Sequence, residues 1–384
     1  MALLLAGIGF TLLSAGQGLT EEKALAEAER PAALVELGEA LFFDSNLSLG
    51  RTQSCASCHD PSHAFADPGD NPTQGALSVG QDGASLGARN APTVAYAYLS
   101  PSFRRMPDGD YVGGQFHDGR APTLEAQARQ PLLNPVEMAM PDEASIIARL
   151  RENEGYVRAF DRLFGPQTLD RDEAGMTALT QALVAYERSA EVSPFDSKYD
   201  RYLRGAYTMT DQEELGRVLF FSNQFTNCHL CHKLTALGDG AEPFSNYRYR
   251  NIGVPANPAT AGRGAGVSPD RGLGGRSDMN DTRYDGQFKV PTLRNVAVTG
   301  PYMHNGVFKD LRTVMLFYDH FNSSSPRRQI NPETGAVWGS PEVPETLAET
   351  ELKFGPPLDD RRIDALIAFL KTLTDRRYEP MLDR

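Results

Sequence analysis

Four cysteines are the whole thiol complement of this 384-residue chain, and they fall in two copies of one spacing. The copies are Cys55-Ala56-Ser57-Cys58-His59 and Cys228-His229-Leu230-Cys231-His232. Two thiols three positions apart can each form a thioether to one vinyl group of a porphyrin. The histidine that follows is then held against the iron as its proximal ligand. A zinc site would need four donors converging on one tetrahedron, and a pair of disulfides would have no use for a histidine after each second cysteine. The spacing therefore asks for two covalently bound haem c groups, with His59 and His232 as iron ligands.

Covalent haem is attached outside the bacterial cytoplasm, and the N-terminus agrees with export. Residues 3–13 are almost wholly apolar and are followed by the small residues Ser14, Ala15 and Gly16. This reads as a secretory leader over 1–20, too short to span a bilayer comfortably. The usual basic stretch before it is missing, which leaves two readings open, a misassigned start or a retained weak anchor. A periplasmic location is expected. The net charge of -12 disfavours nucleic acid and anionic membrane as partners. It suits a protein that docks other redox proteins, although most acidic surfaces are simply solvated.

Internal repetition sets the architecture. The pattern Leu-Gly-x-x-Leu-Phe-Phe stands at 37–43, before the first motif, and at 215–221, before the second. Ala91-Pro92-Thr93 and Phe116-His117-Asp118-Gly119 follow the first motif, while Val290-Pro291-Thr292 and Met303-His304-Asn305-Gly306 follow the second. A leucine comes five residues after each of those glycines, Leu124 and Leu311. The expected fold is mainly α, two cytochrome c-like haem domains related by internal duplication, at 21–191 and 192–384. Residues 145–163, 173–190 and 361–373 carry apolar residues at three- and four-residue intervals, as helices do. The stretches 68–89 and 251–285 read as long loops of the kind that often carry function. Gly262-Arg263-Gly264-Ala265-Gly266 follows no strand and is loop rather than a nucleotide cradle.

The repeat also predicts what faces each iron. Fourteen residues after His304 stands Tyr318; fourteen after His117 stands Pro131. Proline offers no donor atom, whereas a tyrosine oxygen can bind ferric iron. The N-terminal haem is thus expected to be open and the C-terminal haem capped. Met315 and His320 rival Tyr318 as the capping ligand, and a half-buried helical tyrosine is the plain alternative. Glu137 could move the proton that peroxide cleavage requires, or be a surface glutamate. His117 and His304 could be core histidines, their matched positions pointing to roles around the haems.

Taken together, these residues resemble the bacterial di-haem cytochrome c peroxidase superfamily, and within it the MauG-like branch. The resemblance runs from about Leu37 to the C-terminus and is most specific at 53–60, 113–120, 131–141, 193–201, 288–308 and 374–380. A general peroxidase would show methionine at position 318; the MauG-like branch has tyrosine. The resemblance implies that Gln127, Pro131 and Glu137 line the peroxide side of the first haem. It also implies a calcium site at Asn90 with the main-chain oxygens of Thr299 and Pro301. It implies a periplasmic enzyme that uses hydrogen peroxide to reach a high-valent di-haem state. That state oxidises residues of a secreted partner such as the methylamine dehydrogenase precursor, forming tryptophan tryptophylquinone. The alternative is a conventional peroxidase drawing electrons from a small cytochrome c or cupredoxin. Two departures bear on the first reading. His117 stands where the family has a tryptophan in Phe-Trp-Asp-Gly-Arg, and Gln224-Phe225-Thr226-Asn227 lacks the surface tryptophan that precedes the second motif. Trp338 is the single tryptophan of the chain, far off in sequence. Tyr247, Tyr249 and Phe225 are the aromatic candidates for another route.

Overall fold

A computed structural model describes residues 13–234, 242–264 and 266–383. The expected leader lies outside the described residues as far as residue 12. Among those described, no helix is long and apolar enough to cross a membrane.

The long helices pair off at glycines. Helix α1 (Leu13–Phe42) precedes the first motif. It is followed by α2 (Leu124–Leu133), α3 (Glu143–Arg151), α4 (Glu154–Phe164) and α5 (Asp172–Glu187). Then come α6 (Lys198–Leu203), α7 (Asp211–Phe220), the short α8 (Cys228–Cys231), α9 (Leu311–His320), α10 (Glu349–Leu352) and α11 (Asp360–Lys371). The stretch 145–163, expected as one helix, is two. The break comes at Asn153, whose side chain accepts from the Gly155 amide and caps α4, as a short polar side chain does in preference to continuing a helix. The other two expected helices end two or three residues early, because Glu187 and Lys371 close their last turns.

Helices α1 and α5 cross at Gly38, where an added Cβ would lie 1.9 Å from the Ala182 carbonyl oxygen and 2.9 Å from the Tyr186 Cβ. Helices α7 and α11 cross at Gly216, where it would lie 1.9 Å from the Ala365 carbonyl oxygen and 2.8 Å from the Phe369 Cβ. Only glycine lets the backbones approach so closely. Each crossing seeds a hydrophobic cluster. One gathers Leu37, Leu41, Phe42, Ile147, Leu179 and Tyr186, the other Leu219, Phe220, Leu316, Ile363 and Phe369. Strands are few and short among the described residues. β1 (Arg104–Arg105) pairs antiparallel with β2 (Tyr111–Val112), and β3 (Tyr249–Arg250) with β4 (Phe288–Lys289).

The halves join through reciprocal hydrogen bonds. The Asn90 amide donates to the His304 carbonyl at 2.8 Å, and the Lys289 amide donates to the His117 carbonyl at 2.8 Å. Asp375, fully buried, accepts from the Tyr96 hydroxyl at 2.6 Å and from the Asn295 side-chain amide at 2.8 Å. Tyr96 and Asn295 hold the same place in the two halves, each three residues past its Pro-Thr threonine and each at positive φ. Arg294, 1% exposed, forks onto Asp200 at 3.0 and 3.1 Å beneath the Tyr96 and Phe195 rings.

Replacing Gly216 by alanine should destabilise the protein by on the order of 2 kcal/mol. The steric cost of forcing the helices apart outweighs the roughly 1 kcal/mol gained in helix propensity. A urea unfolding midpoint that stays put or rises in Gly216→Ala would show that the crossing is not as tight as described.

Candidate di-haem site

A single cavity of about 780 Å³ is lined by both motifs: Cys55, Cys58 and His59 on one side, Cys228, Cys231 and His232 on the other. In each motif the histidine amide donates back to the first cysteine carbonyl, at 3.0 Å for His59 and 2.9 Å for His232. This closes one helical turn through each motif. Each ring is then fixed by a carbonyl. His59 Nδ1 lies 3.2 Å from the Phe65 oxygen and His232 Nδ1 lies 2.9 Å from the Phe244 oxygen. A carbonyl only accepts, so Nδ1 carries the proton and the lone pair sits on Nε2, free for a metal. Burial pushes both imidazoles down, His232 to about 4, so neither competes for that lone pair with a proton near neutral pH. The thiols, the imidazoles and the cavity fit two haems.

Helices α2 and α9 are each 10 residues long, start at the matched leucines Leu124 and Leu311, and border the same cavity from the two halves. Pro131 and Tyr318 are the eighth residue of their helices, and both line the cavity. Tyr318 is packed edge-on to Phe317 at 6.0 Å, and its hydroxyl has no hydrogen-bond partner among the described residues. Burial raises its pKa, and the Cys231 and Cys228 sulfurs raise it further, so the phenol looks onto the second motif. Of its rivals, Met315 also borders the cavity but is 7% exposed within the core cluster. His320 is turned away. Its Nδ1 meets the Phe317 carbonyl and its ring stacks on Trp338 at 5.4 Å.

On the first side, Gln127, Pro131 and Glu137 all line the cavity. Glu137 accepts from the Asn134 side-chain amide at 2.8 Å. Burial raises its pKa, opposed by Arg120 and by that hydrogen bond. His117 and His304 lie at the junction of the halves. His117 Nε2 is 3.0 Å from the Asn90 carbonyl, and burial beside Arg89 drives the ring down to about 3, leaving it neutral. His304 stacks on Phe288 at 3.6 Å, and its Nε2 has no hydrogen bond, the Glu342 carboxylate standing 3.8 Å off. Asn90, Thr299 and Pro301 also border the cavity. The Asn90 amide nitrogen donates to the Gly75 carbonyl at 2.9 Å, and its side-chain oxygen is a donor of the type that calcium accepts.

The surroundings of four aromatic residues, and Glu187 altogether, were not legible in the sequence. Trp338, distant in sequence, packs against the helix of Tyr318, 5.6 Å from Phe317 and 5.7 Å from Phe308, with its indole N–H on the Arg328 carbonyl at 2.7 Å. Tyr249 is fully buried with its hydroxyl on Gly113, while Tyr247 lines the cavity and Phe225 reaches the surface at its rim. Glu187, on α5, is 6% exposed, lines the cavity and has one carboxylate oxygen without a hydrogen bond. Burial, with Glu125 nearby, pushes it up to about 8. Nothing in the sequence sets Glu187 apart from other helical glutamates.

A family model described as di-haem cytochrome c peroxidase matches residues 32–208. Over 364 residues the chain is 53% identical to the methylamine utilization protein MauG of Paracoccus denitrificans, covering 93% of each. It is 33% identical to the cytochrome c551 peroxidase of Nitrosomonas europaea, covering 72% of this chain and 69% of that one. The crystal structure of the diheme peroxidase BthA from Burkholderia thailandensis superposes with a TM-score of 0.77 at 33% identity, covering 90% of this chain and 87% of that one.

Glu187 yields a pH test. Between the ordinary carboxyl range and about 8, the unfolded chain is ionised here while the native state keeps the proton, so stability falls as pH rises through that window. Glu187→Gln should raise stability near neutral pH by on the order of 3 kcal/mol and by little at pH ~4. Equal urea midpoints for the two proteins at neutral pH would mean that Glu187 is ionised in the folded state.

Proposed function

Because the chain belongs to the di-haem cytochrome c peroxidase family, we propose that it is a MauG-type enzyme. In this reading the haems are covalently bound, peroxide is the oxidant, and a secreted protein is the substrate. The two domains, 21–191 and 192–384, are descendants of one duplicated haem domain, and the compartment is the periplasm. The haem pair supplies the redox chemistry when bound, and the rest falls to the side chains. One observation carries the proposal: the unlike pair at the eighth position of two equal helices. Pro131 can donate nothing, so the first side keeps room for peroxide. Tyr318 can donate an oxygen, so the second side is closed.

Reduction of hydrogen peroxide to two waters takes up two electrons and two protons. Glu137, a cavity-lining carboxyl, takes the proton from one peroxide oxygen and returns it to the other in this reading. Gln127 can donate a hydrogen bond that orients the peroxide. On the second side, a phenolate at Tyr318 depends on positive charge at the metal to offset the burial that raises its pKa. A hard anionic donor then favours the oxidised metal more than a thioether would. Calcium at Asn90, Thr299 and Pro301 would brace the junction. The electrons come from oxidisable side chains of a docked partner, with the methylamine dehydrogenase precursor the first candidate from the MauG similarity. The conventional alternative, electrons from a small cytochrome c or cupredoxin, is favoured by His117 and by the missing surface tryptophan.

Adding stoichiometric hydrogen peroxide to the fully oxidised protein without reductant, and following both haems by freeze-quench EPR, separates the two. Joint loss of both ferric signals with slow return is expected; no change until one haem is reduced would establish the conventional enzyme. Tyr318→His should keep both haems and lose the joint response.

Glu137 acts as a base only when ionised, so the peroxide reaction should slow as pH falls through its raised pKa. Glu137→Gln should be slower by about 10²–10⁴-fold and lose that acid limb. A stopped-flow pH profile unchanged in the variant would remove Glu137 from the mechanism.

A further inference from the structure

Five cationic side chains line the cavity among the described residues: Arg89, Arg120, Arg250, Arg294 and Lys289. Each arginine has a carboxylate partner. Arg89 meets Asp118 at 2.6 Å and Asp270 at 2.7 Å, and Arg120 meets Asp118 at 3.2 Å. Arg250 meets Asp110 at 3.1 Å and Arg294 meets Asp200 at 3.0 Å. Lys289 has no such partner. Its ammonium donates to the Gly114 carbonyl and, at 3.3 Å, to the Ser100 hydroxyl, with the Tyr247 ring 6.0 Å away. Those two bonds use two of its three protons.

The repeat sharpens the contrast. Lys289-Val290-Pro291-Thr292 stands where Asn90-Ala91-Pro92-Thr93 stands in the first half, and the two backbone amides make the same bond to the opposite histidine carbonyl. The backbones agree while the side chains do not: one half has a neutral amide, the other a charge. A buried charge without a counter-charge is expensive. Burial pulls this ammonium down to about 7, even with Asp118 favouring its protonated form. The arrangement calls for an anion supplied from the cavity side.

We propose that Lys289 is a carboxylate-binding residue whose third N–H donates to a propionate of a bound haem at the junction of the two halves. The inference rests on the two-haem reading, because haem propionates are the carboxylates that reading brings into the cavity. Lys289 is thus a positioning and charge-setting residue, not a group that touches peroxide. A cation beside a haem carboxylate also favours the reduced iron, which carries one positive charge fewer.

The test is a spectroelectrochemical titration of the holoenzyme alongside Lys289→Gln and Lys289→Arg, with haem counted by pyridine haemochrome. In Lys289→Gln with two haems bound, the midpoint potential of at least one haem should shift downward, and Lys289→Arg should stay near the parent. Loss of haem from Lys289→Gln but not from Lys289→Arg supports the site as well. Both potentials unchanged in a fully loaded Lys289→Gln, or equal haem loss in the two variants, would overturn it. A parent protein that carries no covalent haem would instead sink the two-haem reading itself.

Discussion

The reciprocal hydrogen bonds between the halves are the constraint on which the rest of the molecule depends. The segment with Asn90 donates to the His304 carbonyl, and the segment with Lys289 donates to the His117 carbonyl. Because each bond ties a residue beside one Pro-Thr turn to the histidine of the other half, neither pocket can shift without moving its partner. Asp375 repeats the device by taking the Tyr96 hydroxyl and the Asn295 amide on its two oxygens. Tyr96, Asn295, Asp375 and His304 are buried, so breaking one of their bonds leaves an unsatisfied donor or acceptor. That penalty holds together the cavity that both motifs line.

Within that frame, similar backbones carry different chemistry. The His59 and His232 imidazoles are each held by a carbonyl on Nδ1, so the two sides begin alike. They diverge on helices α2 and α9, at Pro131 and Tyr318, and at the junction, at Asn90 and Lys289. Carboxyls diverge as well. Glu137 has Asn134 and Arg120 to restrain its rise, whereas Glu187 has little to offset its burial and is pushed up to about 8.

His117 gives the junction a definable character. The imidazole is neutral, since burial and Arg89 hold it near 3, and one nitrogen is engaged by the Asn90 carbonyl. A neutral imidazole is harder to oxidise than an indole. The indole of this chain lies instead against the helix of Tyr318, in contact with Phe317 and His320.

By itself the sequence determined the two haem-attachment motifs, the paired repeats and the Pro131–Tyr318 asymmetry, because these depend on residue type at fixed short spacing. The crossing glycines Gly38 and Gly216 were visible as a repeated Leu-Gly, but their role was not, since the Ala182 and Ala365 carbonyls that forbid a side chain come from far along the chain. The break at Asn153 was hidden because apolar periodicity runs through it and only a local cap ends it. His320 could not be set apart from Tyr318 by spacing: two positions on one helix differ in facing, and facing is decided by what packs against the helix. Trp338, Glu187 and Lys289 belong wholly to the tertiary structure. Proximity to a cavity, and the absence of a counter-charge there, are properties of the assembled walls and leave no mark on neighbouring residues.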